Sequence, residues 1–379
     1  MNGVRILLVA GCLAALGAAV AGVGSSSSSP SQRPGKPEGK LSLLQWPGYS
    51  DPSFSKRFER ASGCVISRTN VASSSDMARL MRSGKYDLVS ASGDVSGTLI
   101  SGRLVQPVNV ARIPAWRHLA PPFQSPAFNT VNGVHYGVTV LWTPNILLYE
   151  TKSATPAPVS WRAVYDERFR GKVSIPDNPM QIADAALYLQ ATRRDLRISD
   201  PYELTPPQFD AAVALLRRQR PLVARYWQYA TEQIQDFRTG EAVVGSSWPY
   251  QAQVLTAVDV PVSQRVPREG ATAWADSWLL AARAAHPNCA YLWFRYVLSA
   301  PVQATQALVL RESPVNPAAC PLMNAAEQDL CAKYHGSSPP RLLRRLEFWK
   351  TPVARCGYAG RSDCVPYKGW QRAWAKVTS

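Results

Sequence analysis

At 379 residues the chain is long enough for two lobes with separate cores, and 46% hydrophobic with 18% charged residues excludes a disordered or fibrous polymer. Its formal charge of +16 suits contact with nucleic acid or an anionic envelope. Yet Arg217, Arg218, Arg220, Arg341, Arg344 and Arg345 fall in short clusters, with no Cys/His finger and no aromatic-interleaved RNA signature, so no nucleic-acid partner is expected.

In chain order, residues 1–21 read as a signal peptide or N-terminal anchor. Arg5 precedes a nearly continuous apolar stretch that ends in the small-x-small signal Ala19-Val20-Ala21. Val9-Ala10-Gly11-Cys12 also fits the pattern before a lipid-modified cysteine, although the residues after Cys12 stay apolar. Cleaved, lipidated and helix-anchored forms therefore all stand open. Residues 22–40, with five consecutive serines followed by Pro and Gly, form a flexible tether. With Cys12 removed or lipidated, six cysteines remain in an exported chain, which makes disulfides the default, with free buried thiols as the alternative. Cys320 with Cys331 and Cys356 with Cys364 close short local loops, which leaves Cys64 for Cys289.

From Leu41 the pattern alternates. Leu41–Trp46 reads as a strand. Asp51-Pro52 then opens a helix with Phe54, Phe58 and Ala61 on one face, and Gly63 ends it. Cys64–Thr69 is a second strand, Ser75 caps a second helix, and Asp87–Ser92 is a third strand. This βαβαβ run predicts a parallel sheet, whose ligands sit beyond the carboxyl ends of the strands. Trp46, Tyr49, Ser92 and Asp94 leave their strands at that edge. Core packing is the alternative for Trp46 and Tyr49, and helix capping for Asp94.

Val138–Trp142 and Asn145–Tyr149 read as strands crossing into a second lobe. There Lys172–Ile175 is a strand, Pro176-Asp177-Asn178 a polar loop and Ile182–Thr192 a helix. Asp195–Pro207 reads as a surface excursion, Phe209–Arg218 as a helix, and Glu241–Ser247 as a strand that delivers Trp248 and Tyr250. Val262–Val266 leads to Glu269–Ala282, the return crossing, where Asp276 stands between Trp274 and Trp278. An unpaired carboxylate in such a run loses several kcal/mol on desolvation, so it needs a cation or several donors. Acid plus indole suits an alkylammonium group, because the ring face attracts the cation by roughly 0.5 to 2 kcal/mol. A helix cap or an Arg partner is the plainer explanation of Asp276. Two helices, Pro287–Leu298 and Val302–Leu310, follow, and the aromatics of the tail, including Trp349, Trp370 and Trp374, read as packing.

His118, His135, His286 and His335 are scattered, there is no Cys-x-x-Cys, and neither a nucleophile elbow nor a phosphate loop occurs. No catalytic residue, metal or cofactor is expected. Ser53-Phe54-Ser55-Lys56 matches Ser-x-x-Lys, but its companion motifs are absent.

Taken together, Lys40–Ser50, Tyr86–Asp94, Glu241–Tyr250, Glu269–Asp276 and Phe348–Pro352 resemble, in order, the spermidine/putrescine type of extracytoplasmic solute-binding proteins of bacterial ABC importers. The resemblance implies an α/β, two-lobed periplasmic-binding-protein fold of type II. Each lobe would carry a mixed, mostly parallel sheet flanked by helices, and crossing strands would join the two. Lobe 1 would take residues 41–142 and 274–312; lobe 2 would take residues 143–273 and 313–379. The resemblance also implies an exported monomer that gives a small amine to ABC permease subunits. Trp46, Tyr49 and Ser92 match the family's strand-end motifs, Trp248 and Trp274 its aromatic walls, and Asp276 the acid that holds an ammonium group. Around Asp177 to Gln181 the family's acids are replaced by Asn178 and Gln181, with Asp177 close by, so the carboxylates are displaced or the ligand carries one cationic centre. A monoamine or quaternary ammonium receptor, a cell-envelope enzyme and a polymer-bound scaffold are the competing functions.

Overall fold

The computed structural model describes residues 35–323, 330–333, 335–336, 340–357 and 363–379. The expected signal or anchor, Cys12 and most of the tether lie outside the described residues.

The opening βαβαβ unit comprises β1 (Lys40–Gln45), α1 (Pro52–Ser62), β2 (Val65–Asn70), α2 (Ser74–Met81) and β3 (Leu88–Ser92), and continues into α3 (Gly93–Ser101). Local chemistry sets its boundaries. The Asp51 carboxylate accepts the Ser53 N–H, Pro52 fits the first turn, and Gly63 ends α1 at φ 73°, where a side chain would be strained. The second helix is capped by Ser73, whose hydroxyl accepts the Asp76 N–H; Ser75 lies inside it. β1 runs parallel to both β2 and β3, so the turns after β1 and β3 leave at the same edge.

A hairpin of β4 (Thr130–Val131) and β5 (Val134–His135) precedes β6 (Gly137–Pro144), and Asn145 alone separates β6 from β7 (Ile146–Glu150). β6 pairs within the first sheet and β7 within the second, so the chain changes lobe at Asn145. The second lobe follows as β8 (Val173–Pro176), α4 (Gln181–Thr192), α5 (Pro206–Gln219), β9 (Val223–Trp227), α6 (Ala230–Thr239), β10 (Val244–Ser247), α7 (Pro249–Ala257) and β11 (Val262–Arg265). The chain returns through β12 (Ala271–Leu280), α8 (Pro287–Val297), α9 (Ala300–Leu310), β13 (Ser313–Pro314) and β14 (Leu346–Phe348), and closes with the helix Tyr367–Thr378.

Among the described residues the first sheet has the order β13-β6-β12-β3-β1-β2, with β14 on β12, and the second the order β11-β7-β10-β8-β9. Both are mixed: a parallel core continues into strands that run antiparallel to it. β12 is buried along its whole length, which explains its near-continuous apolar run.

Two expectations about chain segments need correction, and two elements went unread. β13 and β14 join the first sheet, so residues 313–379 do not belong to the second lobe alone. The segment 195–207 is no surface excursion. Ile198, Tyr202 and Leu204 are buried, and the Tyr202 hydroxyl donates to the Glu347 carbonyl at 2.6 Å, because the tail docks on it. β9 and α6 carried no strand or helix expectation; β9 is an edge strand whose outward Arg225 ion-pairs with Asp236 at 2.8 Å, so it lacks an apolar run. Disulfides join Cys64 to Cys289, Cys320 to Cys331 and Cys356 to Cys364.

Candidate functional site

The antiparallel register of β12 on β3 sets Asp276 opposite Ser92. The Ser92 hydroxyl donates to Asp276 Oδ1, and the Tyr49 hydroxyl donates to Oδ2. Tyr49 reaches the acid through a turn at Gly48. There φ is +91°, and a Cβ would lie 2.6 Å from Leu310 Cδ2, so both backbone and packing require glycine. Asp276 is 2% exposed. Burial pushes its carboxyl up to about 6, against the pull of the Ser92 and Tyr49 hydroxyls, while the nearby Asp94 charge pushes the same way as burial.

A further acid shares this hydroxyl. Glu312, one residue past the left-handed Arg311 that ends α9, places Oε2 2.8 Å from the Tyr49 hydroxyl. Burial first and the Asp276 charge second hold the Glu312 carboxyl well above its usual range. Among the described residues neither Asp276 nor Glu312 forms an ion pair; their partners are hydroxyls.

Trp274 lies two residues before Asp276 and so shares its face of β12. Its ring centroid is 5.5 Å from Trp248, which leaves β10 in the second lobe, and Trp248 in turn lies 4.8 Å from Trp227. These edge-to-face indoles join the two lobes. A polar chain runs beside them: Trp248 Nε1 donates to Asn145 Oδ1 at 3.0 Å, and Asn145 Nδ2 donates to Thr272 Oγ1 at 2.6 Å. The Thr272 hydroxyl donates to Asp184 Oδ1. Asp184 lies in the first turn of α4, and burial pushes its carboxyl up to about 7 despite the Thr272 donor. The sequence reading passed over it, because an acid in a helix's first turn is ordinarily explained by the dipole. The available signal was its setting: Ile182, Ala183, Ala185, Ala186 and Leu187 around it are all buried.

Of the expected site residues, Tyr49, Ser92 and Asp276 form one hydrogen-bonded group, and Trp248 and Trp274 form the adjoining wall. Gln181 is buried at the start of α4, ahead of Asp184 on the same helix. Trp46 donates its backbone N–H to Ser90 Oγ at 3.0 Å, and its partly buried ring packs against the core. Asp94 is fully buried within α3, not capping it; its carboxylate accepts the Tyr367 hydroxyl at 3.1 Å, and burial raises its pKa. Asp177 accepts Trp374 Nε1 at 2.7 Å. The closing helix thus engages two of the expected acids, one from each lobe. Among the described residues no group of three or more His, Cys, Asp or Glu is placed to hold a metal ion.

The sequence matches the family described as bacterial extracellular solute-binding protein over residues 54–329. A putrescine/agmatine-binding protein of Pseudomonas aeruginosa is 25% identical over 334 residues, covering 83% of this chain and 88% of its own length. A putrescine-binding periplasmic protein of Escherichia coli K12 is 24% identical over 358 residues, covering 89% and 91%. In three dimensions the fold is shared with the TpPotD lipoprotein of Treponema pallidum, with a TM-score of 0.73 at 16% identity, over 89% of this chain and 99% of that one.

Proposed function

The chain belongs to the bacterial extracellular solute-binding proteins, and on that premise we propose that it is the receptor of an ABC importer, capturing a polyamine of the putrescine or spermidine kind between its lobes. The observation that carries this reading is Asp276: a carboxylate 2% exposed, held by two hydroxyls, beside an indole wall, and without a cation among the described residues. An ammonium group supplies the missing opposite charge, and the indole face favours it further.

The length of the site follows from β12. Thr272, Trp274 and Asp276 alternate on one face, so the strand separates Thr272, which holds Asp184, from Asp276 by roughly 13 Å, at about 3.3 Å per residue. Acid, indole and acid in a row suit an alkyl chain with cationic ends. Relatives named for putrescine and agmatine or for putrescine agree with this assignment. Closure is a population shift: the ligand contacts Trp274 and Asp276 from the first lobe and Trp248 from the second, and so binds the closed form better. No helix among the described residues is long and apolar enough to cross a membrane.

A second reading, a ligand with one cationic centre, is favoured by Asp94 and Asp177, whose carboxylates already accept hydrogen bonds from the tail. Isothermal titration of the exported domain with putrescine, spermidine and a quaternary amine separates the two, with Asp276→Ala alongside. Saturable one-to-one binding of a polyamine, weakened at least about a hundredfold in the variant, is the expected result. A preference for the quaternary amine establishes the second reading, and no binding to any of them refutes the amine assignment.

A further inference from the structure

The Tyr49 hydroxyl has one proton to donate and two carboxylates within its reach, Asp276 and Glu312. If both acids were ionised, one would face the lone pairs of the Tyr49 oxygen, and two like charges would be held apart only by that oxygen. That arrangement is unfavourable at a buried position. The groups around the pair do not relieve it. The turn after β1 brings only Tyr49, whose phenol is held protonated because burial and both acids raise its pKa. The end of β3 brings Ser92 and, nearby, Asp94 with Tyr367 on it. β6 faces Asp276 with Leu141. Arg311, next to Glu312 in sequence, has its guanidinium 5.9 Å from the centre of the Tyr250 ring in the second lobe.

We propose that Asp276 and Glu312 share one proton through the Tyr49 hydroxyl when the site is free of ligand, and that an incoming ammonium group displaces it. In the proton-bearing state Glu312 is the acid and donates to the Tyr49 oxygen, while Tyr49 donates to the Asp276 carboxylate. When the ligand's ammonium, fully charged near neutral pH, binds beside the pair, the Glu312 O–H bond breaks. Its electron pair stays on the carboxylate and the proton passes to the buffer. Capture is then an exchange of one cation for another, with coupled rather than independent titration of the two acids. The inference rests on the amine reading and adds to it a residue, Glu312, and a proton.

The test is calorimetric titration of putrescine into the full protein at about pH 6.5 in two buffers of different ionisation enthalpy, for the wild type and Glu312→Gln. The wild type is expected to release about one proton per ligand, with affinity rising up to about tenfold per pH unit below the pair's titration. Glu312→Gln, whose amide can donate to Tyr49 as the acid does, is expected to bind with near-zero proton release and a flat pH profile. Binding without proton release in the wild type, or equal release in the variant, overturns the proposal and leaves the amine reading standing. If no amine binds, infrared difference spectroscopy of the ligand-free wild type against Glu312→Gln decides about the proton. Protonated-carboxyl absorption at neutral pH that is present in the wild type and lost in the variant, over the Asp184 contribution common to both, supports it, and no difference in that band overturns it.

Discussion

Asp184 carries a cost that a purely structural residue would be under no need to keep. Its carboxyl titrates at about 7 in the fold, because burial disfavours the charge, against roughly 3.9 in an unfolded chain. With the folded value raised, its contribution to stability is fully present below about pH 4 and is lost as pH rises through the window from about 4 to about 7. Asp184→Asn removes that slope. The variant is therefore expected to melt higher than the wild type at pH 7.5, by on the order of 1–3 kcal/mol, and to converge with it near pH 4. Its polyamine affinity is expected to fall at the same time. A variant that gains stability and keeps full affinity would remove Asp184 from the site. Gly48 makes the opposite kind of point. Gly48→Ala strains a left-handed turn against Leu310 and displaces Tyr49, so both the melting temperature and amine affinity are expected to drop.

Among the elements, the closing helix Tyr367–Thr378 ties the two lobes together. Its Trp370 packs on Phe209 of α5 with ring centroids 6.0 Å apart, Tyr367 donates to Asp94 of the first lobe, and Trp374 donates to Asp177 of the second. The tail aromatics read from the sequence as packing, and Trp370 and Trp374 are indeed buried. What their spacing could not convey is that a tryptophan N–H and a tyrosine O–H would meet acids that the sequence offers as ligand contacts. Thermal melts and amine titrations of Asp177→Asn tell the two roles apart. As an anchor for the tail, Asp177 should cost about 1 kcal/mol of stability on substitution and leave amine affinity unchanged. A loss of affinity on the scale of Asp276→Ala would return it to the ligand.

At the scale of the whole molecule, a chain of formal charge +16 that captures a cation works against its own field. Beyond about 8 Å physiological salt screens that repulsion, and the buried carboxylates set the affinity at short range. Stopped-flow association with a polyamine is therefore expected to quicken as ionic strength rises, the reverse of an electrostatically steered encounter. Slowing with salt would point instead to an acidic entrance. The sequence by itself determined the alternation of strand and helix, the crossing at β12, and the acid between indoles, since all of these rest on local periodicity and on neighbours within a few residues. It also carried Tyr49 and Ser92 to one common edge, because parallel strands release their turns on one side. Only the tertiary structure decided which acids share a donor. Glu312 lies 263 residues from Tyr49, and Asp184 lies 88 from Thr272, separations over which no local pattern fixes contact. Only there, too, did the tail's β13 and β14 join the first sheet, because a strand's partner is chosen by the edge that three-dimensional packing leaves open to it.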